Sequence, residues 1–140
     1  MKRTALALTV IVALLILVVA ETLFIKTARG RTITVPDEYP TIQAAIGNAT
    51  DGDTIFVKKG TYHENIGIDK QVSLIGEDRD STIIDGAPSE GYRVPVSIKC
   101  DRGNLSGFTL RYGYAGIQIG EVKHCNISGN RIASGQHVDM

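Results

Sequence analysis

Short apolar segments that recur at a constant spacing constrain this sequence of 140 residues more than any other feature. From residue 54 onward the pattern predicts only short strands, each bounded by glycine, asparagine or aspartate turns. Equivalent segments begin at Thr82, Asn104 and Asn126, a spacing of 22 residues both times. A fixed period in this range, with three short strands per period, is typical of a β-solenoid whose coils pair in parallel.

The 22-residue frame also predicts which side chains stack from coil to coil. We expect Ile83, Leu105 and Ile127 to form one interior column. We expect Asn104 and Asn126 to stack at a bend, because asparagine tolerates the left-handed backbone that a bend requires and can hydrogen-bond to the next coil. The other predicted vertical neighbours are Leu74 with Val96, Leu110 with Ile132, and Gly116 with Val138.

One strand and one short helix precede the repeats. Thr32–Val35 alternates polar and apolar residues, as a half-buried strand does. Thr41 is placed to cap a helix that buries Ile42 and Ile46 on one face and ends near Asn48. The strands predicted after it are Thr54–Val57, Asn65–Ile68, Val72–Ile75, Thr82–Ile84, Val96–Ile98, Leu105–Leu110, Ile117–Ile119, Cys125–Ile127 and one near Ile132.

Six segments near the start of the body match a recognisable pattern. They are Ile33–Pro36, Tyr39–Ile46, Asp51–Ile55, Gly60–Ile66, Leu74–Glu77 and Thr82–Gly86. Together they resemble the start of right-handed parallel β-helix proteins of the pectin-lyase-like superfamily, which includes pectinesterases, pectate lyases and NosD-type or carbohydrate-binding β-helix repeat proteins. The resemblance covers about residues 32–140. It implies an all-β, right-handed parallel β-helix, a single-stranded solenoid whose N-terminal coil edge is capped by the short helix.

Likeness of fold does not transfer an activity. Pectinesterases act with two aspartates and supporting glutamine and arginine residues on later coils, and no matching motif follows here. Phe108–Arg111 falls near an early strand of that family but lacks the asparagine that follows it there. Lyases use a Ca²⁺ cluster and a basic residue on central coils, again without a match. We therefore assign no catalytic, cofactor-binding or metal-binding residue.

Residues 1–25 are typical of a targeting segment. Lys2 and Arg3 precede an apolar run over residues 5–20, and small residues allow cleavage after Ala20. The alternative is a retained membrane anchor, because residues 5–25 are long enough to cross a hydrocarbon core of about 30 Å. Both alternatives place the body outside the cytoplasm. The predicted organisation is a signal or anchor helix at 1–25, a linker at 26–31 and the β-helix at 32–140.

Charge and composition exclude several classes of protein. Residues 32–140 hold ten basic and fourteen acidic groups, whereas a nucleic-acid-binding body normally has a basic face. A hydrophobic content of 43% excludes a disordered chain. Two cysteines, Cys100 and Cys125, are too few for a disulfide scaffold, and their offset from the 22-residue frame predicts buried free thiols.

Several polar residues are candidates for a functional site. The carboxylate pairs Asp51/Asp53, Asp78/Asp80 and Asp37/Glu38, together with Asp85, fit turns better than acid catalysis or Ca²⁺ binding. No metal-ligand spacing joins His63, His124, His137, Cys125 and Met140, so a copper site is disfavoured. The tyrosines considered for a sugar-stacking surface are Tyr39, Tyr62, Tyr92, Tyr112 and Tyr114.

Three segments match the Asn-x-Ser/Thr pattern of N-glycosylation: Asn48–Thr50, Asn104–Ser106 and Asn126–Ser128. Because the last two begin with stacked asparagines, only Asn48 is expected to be an acceptor.

Two functions follow from these expectations. The first is an extracytoplasmic surface protein, secreted or held at the cell envelope, that is non-catalytic, needs no cofactor and presents a surface to extracellular polysaccharide or another envelope protein. The alternative is the N-terminal fragment of a polysaccharide-active enzyme, a pectinesterase or a pectate-lyase-like protein. The last repeat begins at Asn126 and is shorter than a full coil, so we expect further sequence, a partner or a second copy to cover its edge. Residues 32–140 are predicted to be inactive on pectin.

Overall fold

Parallel pairing of short strands organises the residues that the computed structural model describes, which are 8, 10–14, 30–86, 94–111 and 116–133. The elements of the folded body, in chain order, are β1 (Thr32–Val35), α1 (Ile42–Asn48), β2 (Thr54–Val57), β3 (Gly60–Tyr62), β4 (Ile66–Ile68), β5 (Ser73–Gly76), β6 (Thr82–Asp85), β7 (Val96–Ile98), β8 (Asn104–Ser106), β9 (Thr109–Arg111), β10 (Ile117–Ile119), β11 (Asn126–Ser128) and β12 (Arg131–Ala133).

Three parallel sheets share these strands. Their orders are β1-β2-β5-β8-β11, β3-β6-β9-β12 and β4-β7-β10. The strand triplets β2–β4, β5–β7 and β8–β10 each contribute one strand to every sheet and so form three complete coils. β1 lies on one side of these coils and β11 with β12 on the other. The predicted all-β parallel solenoid is confirmed.

The spacing between paired strands varies along the stack, which corrects the fixed 22-residue frame. The paired first residues in the five-stranded sheet are Thr32, Thr54, Ser73, Asn104 and Asn126. The successive steps are therefore 22, 19, 31 and 22 residues. The longest step arises because the coil β5–β7 has a long connection between β6 and β7. As a result β6 pairs with β3 and β9, and the predicted equivalence of Thr82 with Asn104 is wrong.

Some predicted vertical neighbours are confirmed and others are wrong. Leu105 pairs with Ile127, and Leu110 pairs with Ile132, as expected. Leu74 occupies the position below Leu105 that we assigned to Ile83. Val96 pairs with Ile66 and Ile117, so its predicted pairing with Leu74 is wrong. The predicted pairing of Gly116 with Val138 stays a prediction, because Val138 lies outside the described residues.

Buried aliphatic side chains stack in columns inside the coils. Ile33, Ile55, Leu74 and Leu105 are fully buried in one column, and Ile127 packs against its end. β-branched and leucine side chains fit a pleated interior of this kind. Each such side chain contributes about 1.5–3 kcal/mol when it is fully buried.

The bends before the stacked asparagines are made by other residues. Asn104 and Asn126 are strand partners, so their stacking is confirmed. The left-handed backbone belongs to Arg102 and His124, which have φ angles of 58° and 59°. The Oδ1 atom of Asn104 is buried and has no hydrogen-bond partner among the described residues.

The predicted strand Leu105–Leu110 is divided by a sharp corner into β8 and β9. Gly107 has a φ of 80° and lies so close to the previous coil that a Cβ on it would sit 2.6 Å from the Gly76 carbonyl oxygen. Asn130 of the next coil accepts a hydrogen bond from the Phe108 N–H (3.0 Å) and donates one to the Leu105 carbonyl (2.8 Å). β3 was absent from the predicted strands, because Gly60–Tyr62 carries no apolar alternation.

The predicted helix is confirmed as α1. The Thr41 hydroxyl accepts a hydrogen bond from the Ala44 N–H (3.1 Å), which is the expected N-cap. Ile42, Ala45 and Ile46 are buried against the coils. The helix contacts β1, β2 and β4 and therefore covers the first strand of the β4-β7-β10 sheet.

The leader falls mostly outside the described residues. Residues 8 and 10–14 are helical. Among the helices that the described part of the chain contains, none has the length and apolar character needed to span a bilayer. The choice between a cleaved signal and a retained anchor stays a prediction.

Candidate functional site

A surface cleft of about 390 Å³ lies where α1 ends and the chain turns into β2. The residues that line the cleft are Gly30, Arg31, Tyr39, Asn48, Thr50, Asp51 and Asp53. The lining combines an aromatic ring, carboxylates, an amide, a hydroxyl and a guanidinium. These groups suit a polyhydroxylated ligand, because the ring packs on apolar faces and the polar groups exchange hydrogen bonds with hydroxyls.

Asp53 forms the buried wall of the cleft. Its side chain is 6% exposed. Its Oδ1 accepts a hydrogen bond from the Arg31 N–H (2.7 Å), and its Oδ2 accepts from the Thr50 N–H (2.8 Å) and the Thr50 hydroxyl (3.0 Å). These donors, the Thr50 N–H first, hold the pKa of Asp53 below its usual 3.8. The Asp53 carboxylate therefore has a structural role, since both of its oxygens accept hydrogen bonds from the protein.

The exposed wall of the cleft offers groups to a ligand. Arg31 contributes its backbone N–H to the fold, while the residue itself is exposed. Asp51 is also exposed, and one of its oxygens accepts a hydrogen bond from the Gln71 N–H (3.0 Å). Tyr39 is half-buried and packs against the core. Local sequence pattern does not reveal this cleft, because its members are spread over residues 30–53 and each belongs to a separate turn or element.

Acidic side chains elsewhere accept hydrogen bonds from backbone N–H groups of the adjacent coil. Asp101 accepts from the Lys123 N–H (2.7 Å), and Glu77 accepts from the Lys59 N–H (2.9 Å). Glu64 accepts from the first two N–H groups of α1. Carboxylates that accept backbone hydrogen bonds at corners stabilise the junction between coils.

The predicted turn roles of the remaining acids agree with their contacts. Asp78 accepts hydrogen bonds from the Ser81 hydroxyl and the Asp80 N–H. These donors, the hydroxyl first, lower its pKa from the usual 3.8. The other contacts are Glu38 with the Thr34 N–H (2.8 Å), Asp37 with Lys58 (2.6 Å) and Asp85 with His63 (3.4 Å).

Three of the copper-ligand candidates, His63, His124 and Cys125, lie in the ranges that the structure describes. His124 is exposed, whereas the neighbouring Cys125 packs against the core. Across the described ranges no three His, Cys, Asp or Glu side chains form a group that could hold a metal ion. His137 and Met140 lie outside those ranges.

Both cysteines are free thiols, as predicted; Cys100 is buried as expected, whereas Cys125 is only partly buried. The Cys100 thiol donates to the Lys70 carbonyl (2.8 Å), and the Cys125 thiol donates to the Cys100 carbonyl (3.2 Å). Burial raises the pKa of Cys100 from its usual 9.0. The two thiols therefore act as small core groups that satisfy carbonyls at successive corners.

Two of the five tyrosines are in the described ranges. Tyr39 lines the cleft, and the Tyr62 hydroxyl donates to the Lys58 carbonyl (2.9 Å). Burial raises the pKa of Tyr62 from its usual 10.0. Tyr92, Tyr112 and Tyr114 lie outside the described residues, so the predicted aromatic surface stays a prediction.

The fold defines this chain as a parallel β-solenoid protein. The chain is 31% identical over 121 residues to a cell surface glycoprotein of Methanothermus fervidus, and the match covers 85% of this chain and 20% of that protein. The chain thus spans about a fifth of the length of this relative. No protein-family model and no solved structure matches the chain, so membership of the pectin-lyase-like superfamily stays a prediction.

Proposed function

We propose that this chain is an extracytoplasmic, non-catalytic β-solenoid module of a cell-surface protein. The observation that carries the proposal is the similarity to a cell surface glycoprotein over 85% of the chain, joined to a solenoid body. A solenoid of stacked coils presents long outer faces on a rigid core, which suits a surface scaffold. The apolar leader, as a cleaved signal or a retained anchor, delivers the body to the outside. The coil is right-handed, as parallel crossovers almost always are.

The ligand of this module is an extracellular glycan or another envelope protein, and the cleft is the part of its surface best suited to a glycan. Arg31 and Asp51 are two of the exposed polar groups there and meet the ligand, while Tyr39 supplies the aromatic wall. Asp53 holds the cleft in shape through its three hydrogen bonds.

Surface labelling of intact cells tests the location. Lys58 and Lys123 are exposed, so a membrane-impermeant amine reagent will modify them on the exported protein. A cytoplasmic protein of the same cells serves as the control and stays unlabelled. Labelling that appears only after the cells are broken would refute the proposal.

A glycan array tests the binding function with protein made in a host that does not attach N-linked sugars. The Arg31→Ala and Asp51→Ala variants are expected to lose at least about tenfold in affinity, which corresponds to about 1.4 kcal/mol. Arg79→Ala is the matched control, because Arg79 is exposed and does not line the cleft. Equal losses in all three variants would show that the cleft does not bind the glycan.

The enzyme alternative stays a prediction. Release of methanol or of unsaturated sugars from pectin by this chain, above the level of a heat-inactivated sample, would favour a pectinesterase-like or lyase-like fragment over a scaffold.

A further inference from the structure

Three Asn-x-Ser/Thr segments occupy very different positions in the fold. Asn48–Thr50 lies at the end of α1, whereas Asn104–Ser106 and Asn126–Ser128 are the strands β8 and β11. N-linked glycosylation places a bulky, hydrated group on the asparagine and therefore requires a surface position. The fold thus separates Asn48 from Asn104, which are identical as sequence patterns, whereas Asn126 in β11 is exposed.

Asn48 is at the surface, at the point where the helix changes into extended chain. It is the last residue of α1, and Ala49 after it has φ −76° and ψ 159°. Both Asn48 and Thr50 are exposed. The Nδ2 atom of Asn48 donates to the Ala44 carbonyl (2.9 Å), an exposed contact that rotation of the side chain releases.

Asn104 is half-buried by contrast. Its strand pairs with β5 on one side and β11 on the other, and neighbouring strands are about 4.8 Å apart. Its Oδ1 atom is buried without a hydrogen-bond partner among the described residues. A bulky, hydrated glycan on this half-buried amide, whose oxygen is buried, is therefore accommodated less well than on the exposed Asn48.

We propose that Asn48 is an N-glycosylation site of the exported protein and that Asn104 remains unmodified. The proposal rests on the proposed cell-surface location. The co-reactant is an activated oligosaccharide linked through phosphate to a lipid carrier. The Asn48 Nδ2 forms a bond to the anomeric carbon of the first sugar, the bond between that carbon and the phosphate oxygen breaks, and the amide proton leaves with the phosphate.

Tryptic mapping of the full chain, isolated from the envelope of its own cells, tests this directly. Cleavage after lysine and arginine puts the three segments on separate peptides, residues 32–58, 103–111 and 124–131. We expect the peptide 32–58 to carry a saccharide mass and the peptide 103–111 to have its unmodified mass.

Variants separate the modification from effects on folding. Asn48→Gln keeps an amide and is expected to lose the saccharide on 32–58 completely. Thr50→Val is expected to lose it although Asn48 is still present, while Thr50→Ser keeps both the hydroxyl that the modification requires and the donor to Asp53. Retention of the saccharide in Thr50→Ser and its loss in Thr50→Val therefore assign it to this segment.

Two results would overturn the inference. One is a bare 32–58 peptide in protein that the impermeant amine reagent labels on intact cells, which leaves the surface proposal standing. The other is a saccharide on the 103–111 peptide. Protein that is absent from the envelope and unlabelled on intact cells would refute the proposed function, and this inference with it.

Discussion

The side-chain amide of Gln43 pairs with both backbone groups of Gly67. Its Oε1 accepts a hydrogen bond from the Gly67 N–H (2.8 Å), and its Nε2 lies 3.5 Å from the Gly67 carbonyl oxygen. Gly67 is the middle residue of β4, the first strand of its sheet. The capping helix therefore supplies the edge strand with the hydrogen bonds that a further strand would give, which protects the edge from unwanted pairing.

Charged side chains hold both ends of the same helix. Glu64 accepts from the N–H groups of Ile42 (2.9 Å) and Gln43 (3.0 Å). Lys70 donates to three carbonyls at the other end, those of Ile46, Gly47 and Ala49, at 3.1, 2.7 and 2.8 Å. A negative group at the start and a positive group at the end both interact favourably with the helix dipole.

Replacement of Lys70 by methionine is expected to lower the free energy of unfolding by about 1.5–3 kcal/mol, because hydrogen bonds from a charged donor to carbonyls are lost while the aliphatic stem is kept. Urea denaturation measures the change. Lys58→Met is the control, since the Lys58–Asp37 pair is about half exposed and such pairs contribute about 0–1 kcal/mol. Equal effects of the two substitutions would mean that Lys70 does not hold the helix in solution.

Much of the fold follows from local pattern. The Thr41 cap, the apolar face of α1 and the short strands are each written within a few neighbouring residues, so they were predicted well. The stacking of Leu105 on Ile127 was also predictable, because these strand partners are 22 residues apart, which is the period of the sequence pattern. The 22-residue period does not predict the pairing with the preceding coil, because Ser73 and Asn104 are partners 31 residues apart.

The parts of the fold and of the cleft that were not predicted depend on contacts between coils, which a single sequence does not reveal. The side chain of Asp53 looked like a turn residue, and its bond to the Arg31 N–H, 22 residues away, appears only when the coils are stacked. The cleft has the same origin, since α1 and the turn before β2 form it together. The bends at Arg102 and His124 were missed because the left-handed backbone was expected at the asparagines that follow, Asn104 and Asn126.

Two glycines are expected to respond in opposite directions to alanine. A Cβ on Gly76 would lie 2.1 Å from the Gly107 carbonyl oxygen, whereas nothing lies within 4 Å of a Cβ on Gly47. Gly76→Ala is therefore expected to destabilise the protein by about 1–3 kcal/mol or more through overpacking. Gly47→Ala, in α1, is expected to stabilise it by about 0.4–1 kcal/mol because the unfolded chain loses conformational freedom. Thermal denaturation of both variants measures the pair, and a tolerated Gly76→Ala would contradict the close approach of the coils.

Truncation of side chains in the interior column is expected to lower the free energy of unfolding less at the end of the stack than in its middle. Leu105 is fully buried, so Leu105→Ala is expected to cost about 2–5 kcal/mol through lost contacts and the cavity left behind. Ile127 in the next coil is only partly buried, and Ile127→Ala is expected to cost less. Thr61→Ala, on the exposed face of β3, is the control and is expected to stay within about 0.5 kcal/mol. Urea denaturation ranks the three variants, and a larger loss at Ile127 than at Leu105 would contradict the burial.

Asp53 is expected to make the free energy of unfolding fall at low pH. Its pKa in the folded state lies below 3.8, its usual value, because the N–H groups of Thr50 and Arg31 favour the carboxylate. A lowered folded pKa adds stability that is present above the unfolded pKa and is lost as the pH falls through the folded pKa. The wild-type protein therefore loses this contribution below about pH 4.

Asp53→Asn isolates this contribution. At about pH 7 the variant is expected to be less stable by about 1–3 kcal/mol, because buried N–H donors lose their charged acceptor and the new NH₂ group faces them. As the pH falls below about 4, the wild-type carboxylate is protonated and the gap between the two proteins is expected to narrow. Asp80→Asn removes the same charge from an exposed side chain and serves as the control. Urea denaturation at a series of pH values measures the gap, and a gap that stays constant into strong acid would show that the Asp53 carboxylate is not the source of the stability.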